Sequence, residues 1–502
     1  MNSLPDIFSS VAEVVSSPSV LLTIVAGVLW GMVAGALPGI NSVIAMAIAL
    51  PFTFELDTSS AVMCLIAVNV GVAYGNSIPA ILIGIPGTPA AILTAMDGHK
   101  LHKCGKGGLA LGVTYIASVF GQFIGTFLFL AMVVPLSTLT YVFLSPELFA
   151  LYFLGIITVV SLTSRNILKG LISMAFGLVV ATIGRDPLSA VVRFDFDIWA
   201  LREGLDPIPV VLGLLALSEI FCSMRQAYSS GMLAAHVSPK FPHLKEIRPV
   251  LPSILGGTII GSVIGAIPGV GGTVAAIIAY QQSRMWSKHR ENYGHGSLSG
   301  IAANESAQNA SQAGEMVPTL GLGIPSGGTM VLLLSSLMIH GLVPGPLLIN
   351  ERPDLLYAAV TGLLVATLML AIVGWFVARL FFRIVMLDYS AILCGSLLLT
   401  MVGAYTVNHS QFDVIVLVVF GMIGYVMHRY GYSVAGATIG MILGGGLEVH
   451  LRAGLLLVGD VWSFVTRPWT AVILTVAALL LFQGILRTLK QRGSSLNRAG
   501  IA

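Results

Sequence analysis

Residues 304 to 315, Asn-Glu-Ser-Ala-Gln-Asn-Ala-Ser-Gln-Ala-Gly-Glu, put two carboxylates and four side-chain amides into a chain that is otherwise largely apolar. On a helix, steps of three and four residues keep Glu305, Gln308, Gln312 and Glu315 on one stripe. An ionised carboxylate at membrane depth costs about 2.5 to 3.5 kcal/mol on insertion scales, so a Glu held there needs a partner or a function. Beside a broken helix, Glu305 is what a sodium or proton site would require. A wet loop after His295 and hydrogen bonding between helices are the structural alternatives.

A second chemistry, anion binding, is available from backbone amides. Residues 77 to 96 are apolar, yet Pro79, Gly84, Pro86, Gly87 and Pro89 interrupt them. Proline removes an amide donor and glycine loosens the backbone, so a continuous helix is not expected. In lipid, such a break is tolerated only where protein or a wet cavity satisfies the freed groups. The pattern recurs from Gly314 to Thr329, with Pro79 matching Pro318 and Gly84-Ile85-Pro86 matching Gly323-Ile324-Pro325 at an offset of 239. A bend at each Ile-Pro frees the amides of Gly87 and Thr88, and of Ser326, Gly327, Gly328 and Thr329. A half-helix N-terminus carries roughly +0.5 charge and attracts carboxylate or phosphate without Arg or Lys. Exposed carbonyls at the same break can coordinate a hard cation such as sodium.

The elements that must position these groups are also duplicated. Gly35-Ala36-Leu37-Pro38-Gly39-Ile40-Asn41-Ser42 returns as Gly265-Ala266-Ile267-Pro268-Gly269-Val270-Gly271-Gly272, at an offset of 230. Each Pro-Gly element precedes its own Ile-Pro hairpin, and the copies differ by a nine-residue insertion. Applied to the polar stripe, the offset of 239 leaves Ile66, Asn69, Ala73 and Asn76 in the first copy, so the second half is the more acidic. Equivalent loops carry opposite charge. His99 to Lys106 is basic where Asn350 to Asp354 is net negative, and Glu55 and Asp57 stand where the second copy has Arg284, Lys288 and Arg290. Because cytoplasmic loops collect Lys and Arg, the expectation is two repeats of inverted topology about an axis in the membrane plane. The boundaries expected are 1–224 for the first membrane repeat, 225–247 for a cytoplasmic linker and 248–502 for the second repeat.

Composition sets the class. The 502 residues are 56% hydrophobic and 9% charged, with a mean hydropathy of +0.93, far more apolar surface than a soluble core could hide. Stretches of about 17 to 25 apolar residues can cross the hydrocarbon, and roughly a dozen crossings or partial crossings are expected of an all-α, polytopic helical membrane protein, each repeat holding a Pro-Gly-interrupted helix and a re-entrant or broken hairpin. The net charge of +3 is scattered over short loops, which does not suggest a nucleic-acid partner. Cys64, Cys104, Cys222 and Cys394 form no paired motif and read as small buried hydrophobes. No positive n-region precedes the first apolar segment, so the N-terminus is expected to be retained. The charged connector from Arg185 to Asp206 reads as a solvated or amphipathic loop, and the basic tail from Arg487 to Arg498 as cytoplasmic. There is no His-Glu-x-x-His, nucleophile elbow, phosphate loop or Cys/His cluster; no enzymatic activity and no cofactor is expected, beyond a coupling Na+ or H+.

Over nearly its whole length the chain resembles the large membrane subunit of tripartite tricarboxylate transporters, the TctA type. The likeness is strongest in Gly35 to Gly39, in Tyr74 to Leu82 leading into Ile85-Pro86-Gly87-Thr88-Pro89-Ala90, and in Pro318 to Pro325 followed by His340-Gly341-Leu342-Val343-Pro344-Gly345-Pro346. The resemblance implies cation-driven secondary uptake of a tri- or dicarboxylate across the bacterial inner membrane. It also implies two partners, a periplasmic solute-binding protein and a small membrane subunit with a few helices. Carried over residue by residue, it assigns substrate or ion contact to Gly39, Asn41, Ser42, Gly269, Gly271, Gly272 and Thr273 in the Pro-Gly elements. In and beside the hairpins it assigns the same to Asn76, Ser77, Gly87, Thr88, Glu305, Asn309, Gly323, Ser326, Gly327 and Thr329. The sequence departs from the family pattern at Asn41, Gly84, Asn76, Gln308, Ser326 and Glu315, which leaves the particular acid open. A stand-alone anion transporter or channel that needs no binding protein is the alternative.

Overall fold

Pro-Gly and Ile-Pro interruptions divide the apolar sequence into helices of very different lengths. The computed structural model describes residues 4–499 apart from 38–39, 85, 140–142, 164–165, 187, 227–239, 344, 346–347 and 385–388. Gly39, with Pro38, Ile85, Pro344, Pro346 and much of the 225–247 linker, therefore lies outside the described residues. One two-stranded antiparallel pair, β1 (Gly184–Arg185) with β2 (Val192–Arg193), is present; the rest of the regular structure described is helical. Among the described residues seven helices are long and apolar enough to cross a membrane, and seven shorter apolar helices accompany them. The chain is a multi-pass, all-helical membrane protein.

Two compact units divide the chain, the first comprising residues 1–136 and 223–407, the second 137–222 and 408–502. In the first unit, α1 (Pro18–Ala36), α2 (Ser42–Ala49), α3 (Thr58–Gly75), α4 (Ser77–Leu82) and α5 (Ile92–Leu101) lead to α6 (Gly107–Leu139). Later in the chain, α7 (Leu251–Gly265), α8 (Gly271–Trp286), α9 (Leu298–Leu322) and α10 (Gly328–Ile339) repeat the order. Side-chain caps start several of these helices. Asn41 Oδ1 accepts from the Ile44 amide at 3.0 Å, Asp57 Oδ2 from Ser60 at 3.1 Å, and Ser297 Oγ from Gly300 at 3.0 Å, each satisfying a donor the first turn leaves free. At the other end of α9, Gly323 has φ +72° and closes the helix, its successor's amide bonding back to Pro318 O at 3.0 Å. That left-handed turn is costly for any residue with a Cβ.

The α1–α3 and α7–α9 pairs are held backbone to backbone by glycines four residues apart, Gly27, Gly31 and Gly35 in one and Gly257, Gly261 and Gly265 in the other. A Cβ on Gly31 would lie 2.1 Å from Val68 O, and one on Gly261 2.3 Å from Ala307 O. Small residues at this spacing let helices approach closely where lipid supplies no hydrophobic drive. The two triads stand at the same offset of 230 as the Pro-Gly elements.

In the second unit, Val210, Leu214, Phe420 and Met441 belong to one buried cluster. Several of its acids are paired with arginines. Glu147, 2% exposed, accepts from Arg467 Nε at 2.6 Å and from Thr470 Oγ1 at 3.1 Å. Asp186 lies within 2.8 Å of both Arg193 and Arg452, and Glu448 within 3.0 and 3.1 Å of the same two. The reading of 185–207 as a solvated loop is thus corrected at Asp186, which is buried and paired, while Phe196 and Trp199 stay exposed. The cysteines are corrected too: Cys104 and Cys394 are exposed, and Cys64 and Cys222 half-buried.

Candidate functional site

Helix α9 is polar and yet buried from Gly300 to Gly321, so its side chains must find partners inside the protein. Gln312 Nε2 donates to Asn69 O on α3 at 3.0 Å, and Asn304 Nδ2 to Ala90 O at 3.1 Å and Thr94 Oγ1 at 2.9 Å. These bonds tie α9 to the first half of the chain. Asp97, fully buried on α5, adds a further tie by accepting from Tyr280 Oη and the Gly296 amide, both at 2.8 Å.

Against α9 lies a cavity of about 210 Å³ lined from both halves of the chain. Asn41, Ser42 and Val43 line it from the start of α2, Thr88 to Ala90 from the run into α5, Gly272 and Thr273 from the first turn of α8, and Thr329 from the first turn of α10. Asn69, Gln308, Ser311, Gln312 and Glu315 complete the wall. Four helical starts therefore border one space, and no Lys or Arg is among its lining residues. The starts at Thr88, Val270 and Gly327 have no cap from their own side chains. Thr88 Oγ1, Gln308 Oε1 and Gln312 Oε1 have no protein partner. Amide donors and partial positive charge gathered in this way suit an anion.

A second polar cluster lies behind the cavity wall, joined to it through Asn304, which bonds both Ala90 O and Thr94 Oγ1. Glu305, fully buried, accepts from Ser77 Oγ at 2.8 and 2.7 Å, from Thr94 Oγ1, and from Ser118 Oγ on α6 at 3.4 Å. No basic group pairs with it in the described bonds. A carboxylate ringed by hydroxyl oxygens supplies the hard oxygen ligands that an alkali cation takes, or the group that a proton titrates.

The residues expected from sequence separate into three sets. Asn41, Ser42, Thr88, Gly272, Thr273 and Thr329 line the cavity. Ser77 and Glu305 meet in the second cluster, where Asn76 Oδ1 lies 3.4 Å from Ser77 Oγ and Asn309 Nδ2 donates to Glu305 O at 2.9 Å. The others serve the backbone. Gly269 and Gly271 take positive φ at the start of α8, Gly87 abuts Asn76 and Gly35 O, Gly323 ends α9, Ser326 Oγ donates to Glu315 O at 3.2 Å, and Gly327 precedes α10. Beyond the assigned residues, the structure adds Asn69, Ser311, Thr94 and Ser118, and it brings Gln308, Gln312 and Glu315 of the polar stripe into the wall. That stripe was the signal for the last three.

Comparison with known proteins gives a consistent picture. The sequence pattern of the Tripartite tricarboxylate transporter TctA family matches residues 21–439. The chain is similar to the Uncharacterized 52.8 kDa protein in TAR-I ttuC' 3'region of Agrobacterium vitis, 31% identical over 467 residues that cover 93% of each chain. It is also similar to the Uncharacterized protein in TAR-II ttuC' 3'region of the same organism, 30% identical over 233 residues, 46% of this chain and 96% of that one. No solved structure matches significantly.

Proposed function

The chain belongs to the tripartite tricarboxylate transporter TctA family, a family of transporters and not of enzymes, and from that premise we propose that it is the large membrane subunit of a binding-protein-dependent system that takes up an organic carboxylate. The setting is the bacterial inner membrane, and the partners are a small membrane subunit and a periplasmic solute-binding protein. The observation that carries this reading is the cavity bordered by four helix starts and free of basic side chains. Such a site holds a carboxylate by peptide dipoles, so the anion meets no fixed full positive charge that would make release slow.

The driving force in this proposal is a cation gradient, with Glu305 and its three hydroxyl partners as the cation or proton site. The adjoining cavity then feels the cation's charge, and each ligand strengthens the other's binding. The proposal also holds that residues 1–224 and 248–502 are inverted repeats joined by 225–247. Two observations support it beyond the loop charges. The glycine triads share one offset, and each half gives its earlier part to the first compact unit and its later part to the second.

Proteoliposomes test the whole reading. With both accessory subunits and an imposed sodium or proton gradient, radiolabelled carboxylate accumulates, and Glu305→Gln abolishes the gradient dependence while the subunits still co-purify. Gradient-driven accumulation that survives in Glu305→Gln removes that residue from coupling. Uptake by this chain alone points to the stand-alone transporter.

A further inference from the structure

Glu315 is the one charged residue among those lining the cavity. Its carboxylate already occupies an anion position, since Oε1 accepts from the Gly272 amide at 2.7 Å, in the first turn of α8. The packing there is close. A Cβ on Gly272 would come within 3.5 Å of the same oxygen and 2.5 Å of Ser311 Oγ, and one on Gly271 within 3.8 Å of the carboxylate. The backbone at Glu315 is anchored as well, because its carbonyl accepts from Thr319 Oγ1 at 2.6 Å and from Ser326 Oγ at 3.2 Å. The start of α8 is thus filled by a carboxylate belonging to the protein, as the start of α2 is capped by Asn41. The remaining wall stays open to a guest, for Gln308 and Gln312, each 7% exposed, keep side-chain carbonyls without partners, as Thr88 keeps its hydroxyl.

We infer that Glu315 is a specificity-determining residue, a resident carboxylate that stands in for one carboxylate of the substrate and so tunes the cavity to dicarboxylates over tricarboxylates. The inference rests on the carboxylate reading of the cavity proposed above. A third substrate carboxylate would have to displace Glu315 from Gly272 or lie beside it, and like charges in a site shielded from water repel strongly. A fixed like charge is a repulsive element of the kind that separates two otherwise similar guests. A guest with two carboxylates meets the helix starts that remain and leaves Glu315 in place.

Equilibrium binding to the full-length chain in lipid nanodiscs at about pH 8, with labelled succinate and citrate, tests this. The wild-type protein binds succinate at least tenfold more tightly than citrate. Glu315→Gln keeps an acceptor for the Gly272 amide and removes only the charge, so the ratio of citrate to succinate affinity rises about tenfold. Glu315→Asp retains the wild-type order. A wild-type preference for citrate overturns the inference whether or not any variant folds. An unchanged ratio in Glu315→Gln overturns it as well, even if both affinities fall together. If the wild-type chain binds neither acid, the carboxylate reading of the cavity fails and this inference with it, an outcome distinct from binding with the wrong order.

Discussion

The Thr88 hydroxyl lines the cavity and has no protein partner, so Thr88→Val removes a polar group that contributes nothing to the fold while preserving shape. Removing an unpaired buried hydroxyl is neutral or slightly stabilising. A hydrogen bond from that hydroxyl to a bound carboxylate is worth about 1.5 to 3 kcal/mol, which is roughly tenfold to a hundredfold in affinity. The expected outcome is an unchanged melting temperature with carboxylate binding weakened at least tenfold, read by nanodisc binding and thermal melting on the same preparation. A melting temperature that falls in step with affinity would place Thr88 in the packing. Glu305 differs from Thr88 in the way sequence could reveal it. Its buried charge is legible from one residue in an apolar chain, but its partners Ser77, Thr94 and Ser118 lie 228, 211 and 187 positions away, and hydroxyls in apolar helices carry no local mark. Glu315 escaped assignment to the site for a related reason: its partner is a backbone amide, which every residue except proline offers.

Helix breaks were the most legible elements, because proline's missing amide and glycine's left-handed turn act locally. The helix ends at Leu82 and Leu322, and the helical starts at Pro89 and Gly328, bracket the two Ile-Pro motifs. Helix α9 continues through Pro318 to Leu322, since the surrounding packing overrides one lost hydrogen bond. Gly261 bears on both stability and site. A side chain there drives into Ala307 O and Cα, 2.3 and 2.7 Å from its first carbon, and overpacking of this kind costs about 1 to 3 kcal/mol or more. Gly261→Val therefore lowers the melting temperature and, by shifting α9, also weakens carboxylate binding. Gly395, whose added Cβ meets nothing within 4 Å, is the control, and Gly395→Ala leaves both unchanged.

In the second unit, hydrogen bonds from Ser189 and Arg452 hold the Asp186 carboxyl well below the usual carboxylate range. A depressed folded-state value adds stability above the unfolded value near pH 4, and that stability drains as pH falls toward the folded value. Arg452→Ala removes two of the bonds to Asp186, at 3.0 and 2.8 Å. The variant melts lower at pH 7, and its melting temperature depends less steeply on pH below about 4 than that of the wild type. An equal slope in both proteins would show that the Arg452 bonds do not set the Asp186 ionisation. The sequence reads this connector as a solvated or amphipathic loop because its one local mark, a serine three residues after Asp186, is common in exposed turns. The long-range partner of Asp186, Arg452, lies 266 positions on, and joins the bonds from Ser189 and Arg193.

At the scale of the whole molecule, the proposal turns on handedness across the membrane. If two copies of one element enter from opposite leaflets, the starts of their short helices point at the middle from both sides and can share a single anion. Two copies entering from the same leaflet would point all their starts the same way along the membrane normal, and one cavity bordered by all four would need a different explanation. The charges of corresponding loops distinguish the cases, because Lys100, Lys103 and Lys106 follow the first hairpin where Glu351 and Asp354 flank Arg352 after the second, and basic loops stay in the cytoplasm. Single cysteines introduced at Lys103 and at Arg352, in a background with Cys64, Cys104, Cys222 and Cys394 replaced by serine, report the sides directly. In intact cells a membrane-impermeant maleimide labels position 352 and leaves position 103 unlabelled until the membrane is opened. Labelling of both from outside, or of neither, makes the two halves parallel copies and removes the inverted frame on which convergence of the helix starts depends.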